Sequence, residues 1–141
     1  MSKQHADRAV TQEIALGCED ELGRPLTFIS SFGYDPHDPY AVWLTFHIPG
    51  GDVHWVLGRT LLAQGIDEPT GEGDVCLWPN LDEDGCAVVS MDFHSPEGRL
   101  VVEARSRDVY QFLARTWAAV PPGSEGDNVD LDELVEDLLA G

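Results

Sequence analysis

Two histidines, His47 and His54, flank the turn Pro49-Gly50-Gly51-Asp52 and face each other across two strands if the chain reverses about Gly50-Gly51. Paired imidazoles at cross-strand positions can hold a transition metal once a third ligand arrives, which would make a metal-dependent hydrolase. The neighbouring sequence supplies no such ligand, so packing on a half-exposed face is the expected role, and no metal or cofactor is assigned. Asp92 and His94, two apart on one strand face, have the spacing of an acid/base pair. Their setting favours a solvated strand edge instead. No serine lies in a Gly-x-Ser-x-Gly setting, and Cys18, Cys76 and Cys86 have no local histidine motif. Thr70-Gly71-Glu72-Gly73-Asp74 is glycine-rich but lacks a lysine and precedes a strand, which makes a poor phosphate cradle. No catalytic residue is assigned, and the chain is expected not to be an enzyme.

The four tryptophans are the remaining chemistry. Trp55 and Trp117 belong to apolar stripes and read as core, whereas Trp43 and Trp78 fall opposite their strands' aliphatic faces. Exposed aromatics either stack unpaired bases or anchor a protein interface, and charge separates the two uses. Eight Lys plus Arg stand against 26 Asp plus Glu, a formal charge of −18. Lys3, Arg8, Arg24, Arg59, Arg99, Arg105, Arg107 and Arg115 are scattered rather than gathered into a patch. Nucleic-acid binding rests on cations that displace counterions from phosphates, so nucleic acid is not an expected partner and neither is an anionic membrane surface. A protein-binding surface is expected at Trp43, His47, His54, Val56 and Trp78.

These residues must be positioned by strands. Tyr40, Val42, Leu44, Phe46 and Ile48 alternate on one side, and Val53, Trp55 and Leu57 repeat the pattern after the turn. A reversal about Gly50-Gly51 sets Ile48 opposite Val53, Phe46 opposite Trp55 and Leu44 opposite Leu57. The other face carries Trp43, Thr45, His47, His54 and Val56. Before this hairpin, alternation over 10–18 and 26–34 predicts two strands, joined to it by the stiff Asp35-Pro36-His37-Asp38-Pro39 connector. After it, 59–64 predicts a short helix stopped by Gly65, followed by a loop over 66–73. Strands are predicted at 74–79, 87–93 and 100–104, the last two around a Ser95-Pro96-Glu97-Gly98 turn. Ser106 is the expected cap of a helix to Val120, which Pro121-Pro122-Gly123 ends.

At 141 residues and 43% hydrophobic, the chain is the size of one ordinary domain. Residues 1–8 are expected to form a flexible arm, 9–120 a single β-rich domain, and 121–141 a linker and an amphipathic helix. In that helix Asp130 and Glu133 make a capping box, and Leu131, Leu134, Val135, Leu138 and Leu139 form an apolar stripe. So short a helix is marginal alone in water, so the stripe is expected to dock on the domain or on a neighbouring subunit. The fold class is α+β: about seven antiparallel strands in two sheets forming a barrel-like core, with a short helix and two C-terminal helices. No apolar run is long enough to span a bilayer and none resembles a signal peptide, so a soluble cytoplasmic protein without membrane insertion is expected. The cysteines are expected to be buried structural filler.

Asp38-Pro39-Tyr40-Ala41-Val42 with Phe46 resembles the SsgA-like proteins of actinobacteria, and most nearly their SsgB-type branch. The resemblance continues through Trp55, Arg59-Thr60-Leu61-Leu62 and Gly65, then Pro69-Thr70-Gly71-Glu72-Gly73-Asp74-Val75 and Trp78-Pro79. Further blocks are Ser95-Pro96-Glu97-Gly98, Phe112-Leu113, Arg115-Thr116 and Val120-Pro121-Pro122-Gly123. Together they span roughly 10–139. The resemblance implies a non-enzymatic regulator of sporulation-specific division and septum-site selection, concentrated at septa, that helps localise the tubulin-like protein FtsZ. It also implies other SsgA-like proteins and septal membrane proteins as partners, a homo-oligomer that is a trimer, and a fold like that of Whirly single-strand binders. A Whirly-type nucleic-acid binder is therefore the alternative function, although a shared fold does not transfer a site.

Overall fold

The structure is a computed structural model and is described for residues 9–128. The alternating segments become β1 (Val10–Glu19), β2 (Pro25–Tyr34), β3 (Ala41–Ile48) and β4 (Gly51–Gly58). Helix α1 (Arg59–Asp67) follows, then β5 (Thr70–Glu72), β6 (Val75–Leu81), β7 (Ala87–Ser95), β8 (Gly98–Arg105) and helix α2 (Ser106–Ala119). A 3-10 turn, Glu125–Asn128, ends the described part. All pairings are antiparallel.

One eight-stranded sheet in the order β4-β3-β2-β1-β8-β7-β6-β5 replaces the two sheets and seven strands expected. Its halves are stitched by only two residue pairs, Leu16 with Ala104 and Gly17 with Glu103. The extra strand, β5, lies within the predicted 66–73 loop and pairs with β6 at Thr70–Leu77, Gly71–Cys76 and Glu72–Val75. The sheet curls into a half-barrel. Three strands separate β3 from β7, which at ~4.8 Å per step would hold a flat sheet's side chains about 19 Å apart. The Phe46 and Phe93 rings nevertheless meet edge-on at 5.2 Å, and the Trp55 ring lies 4.9 Å from Phe93. The inward-facing set of both halves thus makes one core, with Ile14, Leu16, Phe32, Leu44, Leu77, Met91, Val102 and Phe112 buried in it.

Both β4 and β8 run antiparallel to β1 in the sheet, so α1 and α2 start at the same end of the half-barrel and fill it. Phe112 of α2 packs edge-on against Phe32 at 5.6 Å. Gly65 does not stop α1, which continues to Asp67. Its role is close approach: a Cβ there would stand 2.6 Å from Leu77 Cβ on β6. Ser106 is the first residue of α2 rather than its cap, which is Arg105 and makes no side-chain capping bond. The expected C-terminal helix, with its capping box and apolar stripe, lies outside the described residues, as does the 1–8 arm.

The central hairpin keeps the predicted faces but not the predicted register. Its turn is Pro49-Gly50, pairing Ile48 with Gly51, so that Phe46 meets Val53, Leu44 meets Trp55 and Val42 meets Leu57. Pro49 suits the second position of a tight turn, and Gly50 at φ +95° supplies the left-handed conformation the third position needs. The shift is two residues, an even number, so no side chain changes face. Tyr40, expected on the apolar stripe, precedes β3 and is 57% exposed. Of the cysteines only Cys18 is half-buried, its thiol pushed up by burial and secondarily by Asp20. Cys76 and Cys86 are exposed and do not act as filler.

Candidate partner-binding surface

On the outer face of β3 and β4, Trp43 lies directly opposite Val56, and the two are 47% and 48% exposed. Next along the hairpin Thr45 pairs with His54, and then His47 with Asp52. His47 and His54 are therefore not opposite one another, as the expected register had them. The Thr45 hydroxyl and His54 Nδ1 are 3.1 Å apart. His47 joins three strands: its Nε2 lies 2.7 Å from Ser31 Oγ on β2 and its Nδ1 3.0 Å from Asp52 Oδ1 on β4. Ile29 stands beside His47 on β2 and is also exposed. The surface is an apolar pair, Trp43 and Val56, continued by side chains that fix one another.

Ser31, His47 and Asp52 repeat the connectivity of a nucleophile, base and orienting acid. Acyl transfer also needs N–H donors aimed at a developing oxyanion. Ser31 sits inside β2 with Glu13 of β1 on one side and Thr45 of β3 on the other, so the surrounding amides belong to the sheet ladder. What the row can do is hold a flat, rigid, mixed polar and apolar face. Both nitrogens of His47 are engaged, and among the described residues no three His, Cys, Asp or Glu side chains converge to hold a metal.

Trp78 does not join this surface. It is half-buried on the outer face of β6, opposite Ser90, on the other half of the sheet. Asp92 likewise departs from expectation, since it lies on β7, between β6 and β8, and is buried rather than on a solvated edge. Arg99 grips it with Nε to Oδ1 at 2.9 Å and Nη2 to Oδ2 at 2.6 Å, and His94 Nε2 is 3.2 Å from Oδ1. That guanidinium, foremost, holds the Asp92 carboxyl below the usual carboxylate range. Leu131, Leu134, Val135, Leu138 and Leu139 lie outside the described residues.

Two residues with structural consequences carried no signal by alternation. Arg59, directly after β4, is 2% exposed. Its Nη1 donates to the carbonyls of Val120 at 2.7 Å and Thr116 at 3.2 Å, its Nη2 to Glu125 at 2.9 Å, and its charge lies 5.0 Å from the centre of the Tyr34 ring. The guanidinium thereby satisfies carbonyls at the C-terminus of α2 and fixes the chain beyond it. Glu125 is the second, its carboxyl held low first by the Arg59 hydrogen bond. The only available hint was the basic residue directly after a strand.

Three of the described cations are tied to carboxylates. Arg24 pairs with Asp20, Arg59 with Glu125 and Arg99 with Asp92. The outward neighbours of Trp43 on β1–β4 are Val56, Thr45, Gly33, Ser31, His54 and Thr11, none of them Lys or Arg. Among the described residues no helix is long and apolar enough to cross a membrane.

Comparison with known proteins places this geometry. Residues 29–125 match the family described as Streptomyces sporulation and cell division protein, SsgA. The sporulation-specific cell division protein SsgB of Streptomyces coelicolor is 48% identical over 108 residues, covering 76% of this chain and 78% of that one. SsgB of Frankia casuarinae is 36% identical over 134 residues, covering 94% of this chain and 93% of its own. An SsgA-like sporulation-specific cell division protein of solved structure, from Thermobifida fusca, superposes with a TM-score of 0.82 at 33% identity, over 92% of this chain and 94% of that one. A structure reported with SsgB mutations that correlate to longitudinal cell division during sporulation of Streptomyces coelicolor gives 0.80 at 42% identity, over 85% and 94%. The chain belongs to the SsgA family of sporulation and cell division proteins.

Proposed function

We propose that this protein is a non-enzymatic adaptor of sporulation-specific septation that binds other division proteins through the outer face of β3 and β4 and helps place FtsZ at septa. Other SsgA-like proteins and septal membrane proteins are further partners on this reading, and the chain self-associates as a trimer. The observation that carries it is the Trp43–Val56 pair, two large side chains half in water on a face whose polar members are locked by hydrogen bonds. Rigid aromatics ringed by ordered polar groups are the usual anchors of protein interfaces. A half-exposed tryptophan on a mobile loop would have to be ordered on binding, whereas this one is already held by the sheet. The test is recovery of FtsZ, and separately of a septal membrane partner, by Trp43→Ala/Val56→Ser protein. Loss of recovery from protein that still melts cooperatively, within about 4 °C of the parent chain, is expected. Recovery equal to that of the parent chain would mean that another surface makes the contact.

A further inference from the structure

Among the described residues the two edges of the half-barrel, β4 and β5, are not joined, and a groove of about 300 Å³ lies between them. Tyr40, Val56, Leu57, Leu61 and Val75 line it, together with Glu72. The polypeptide leaves the described part of the molecule beside this groove. The Arg59 amide donates to the Tyr40 carbonyl at 2.7 Å, the Arg59 side chain holds Glu125, and a Cβ on Gly126 would lie 3.9 Å from the Tyr40 hydroxyl. Residues 129–141 therefore start next to an open apolar slot. Leu131, three residues past Asn128, is within about 10 Å of that point along an extended chain.

We propose that residues 130–139 occupy this groove, setting Leu131, Leu134, Val135 and Leu138 against the exposed Tyr40 and over the floor made by Leu57, Leu61 and Val75, and leaving the outer face at Trp43 and Val56 open. The spacing of those four apolar residues suits one helical stripe, and ten helical residues span about 15 Å, against about 26 Å for an eight-residue strand such as β4. The proposal does not rest on the adaptor reading. Charge opposes it and so gives it a signature. The segment carries Asp130, Asp132, Glu133, Glu136 and Asp137 with no Lys or Arg, on a molecule already strongly acidic. Apolar contact must hold the segment against like-charge repulsion, so screening strengthens the docking, whereas it would weaken a basic partner in the same groove.

The experiment compares amide spectra of the isotope-labelled full chain, a chain ending at Asn128, and full-length Leu134→Glu/Leu138→Glu. Truncation is expected to shift the amides of Tyr40, Val56, Leu57, Gly58 and Leu61. The double substitution should reproduce those shifts without shortening the chain. The shifts should be independent of protein concentration and should move further towards the docked position as ionic strength rises to roughly 0.3 M, where the Debye length is below about 8 Å. Groove amides indifferent to truncation would overturn the proposal, as would a docked signal that disappears on dilution, which would assign the groove to a second copy. Docking weakened by salt would also overturn it.

Discussion

Trp43 and Trp55 belong to one hairpin and differ only in the side of the sheet they take, so replacing each by alanine separates core from contact surface. The Trp55 ring lies 4.9 Å from Phe93 and packs against the core that joins the two halves of the sheet. Its removal opens a cavity at that junction and should cost about 3 kcal/mol, the lower end for a large aromatic because one side of it is wet. Trp43 loses its cross-strand contact with Val56, worth roughly 0.2–1 kcal/mol. At about 4 °C per kcal/mol for a domain of this length, Trp55→Ala should melt ~12 °C lower and Trp43→Ala no more than ~4 °C lower. Binding should rank them the other way. Nearly half of a side chain of about 250 Å² is open at Trp43, a ceiling near 3 kcal/mol at ~25 cal/mol per Å². Part of that is lost to the costs of association, which leaves about a tenfold weaker affinity for FtsZ. Thermal melts by near-ultraviolet dichroism and a titration of each folded variant make the comparison. If Trp43→Ala were the less stable of the two, the assignment of faces would be refuted.

Arg59→Ala should cost about 1–3 kcal/mol in urea unfolding, because it empties a buried site, leaves the Val120 carbonyl without its donor and frees Glu125 from α2, while the Thr116 carbonyl keeps the Val120 amide; Arg59→Lys should recover little of it. A loss under 1 kcal/mol would show that solvent reaches those groups. Gly65→Ala should destabilise the fold by about 1–3 kcal/mol by forcing α1 away from Leu77, and a melting curve unchanged from the parent would contradict the close approach. Glu125 and Asp92 both have lowered folded values, so the stability they contribute is complete above their ordinary values of 4.5 and 3.8 and fades as pH falls through the folded ones. Unfolding measured from about pH 6 down to about pH 2 should show stability falling below about pH 4.5, and substituting Arg59 and Arg99 should shrink that fall.

Most of the local structure could be read from alternation. Val10 to Cys18, Leu26 to Tyr34 and the central pair announce strands because each buries one side only, and period two then fixes which side chains share a face. For that reason Trp43 and Val56 were identifiable as sharing the outward face even with the turn misplaced by one residue and the register by two. Pro49 was the signal for the true register, and with it the contact of His47 with Asp52 rather than His54. The single sheet was not legible, since Leu16 and Ala104 meet across most of the chain and nothing local to either strand records a pairing that brief. Arg59 and Gly65 were obscured for a different reason. A guanidinium is ordinarily exposed and a glycine after helix formers ordinarily ends a helix; here tertiary contacts with α2 and Leu77 decide both.

The central claim is that partners cover the outer face of β3 and β4, and oxidative footprinting of the chain with and without FtsZ measures this at the residue concerned. Tyr110, exposed on α2, serves as the internal reference. Saturating FtsZ should protect Trp43 several-fold and leave Tyr110 unchanged. Saturated binding with Trp43 as reactive as in the free protein would contradict the account.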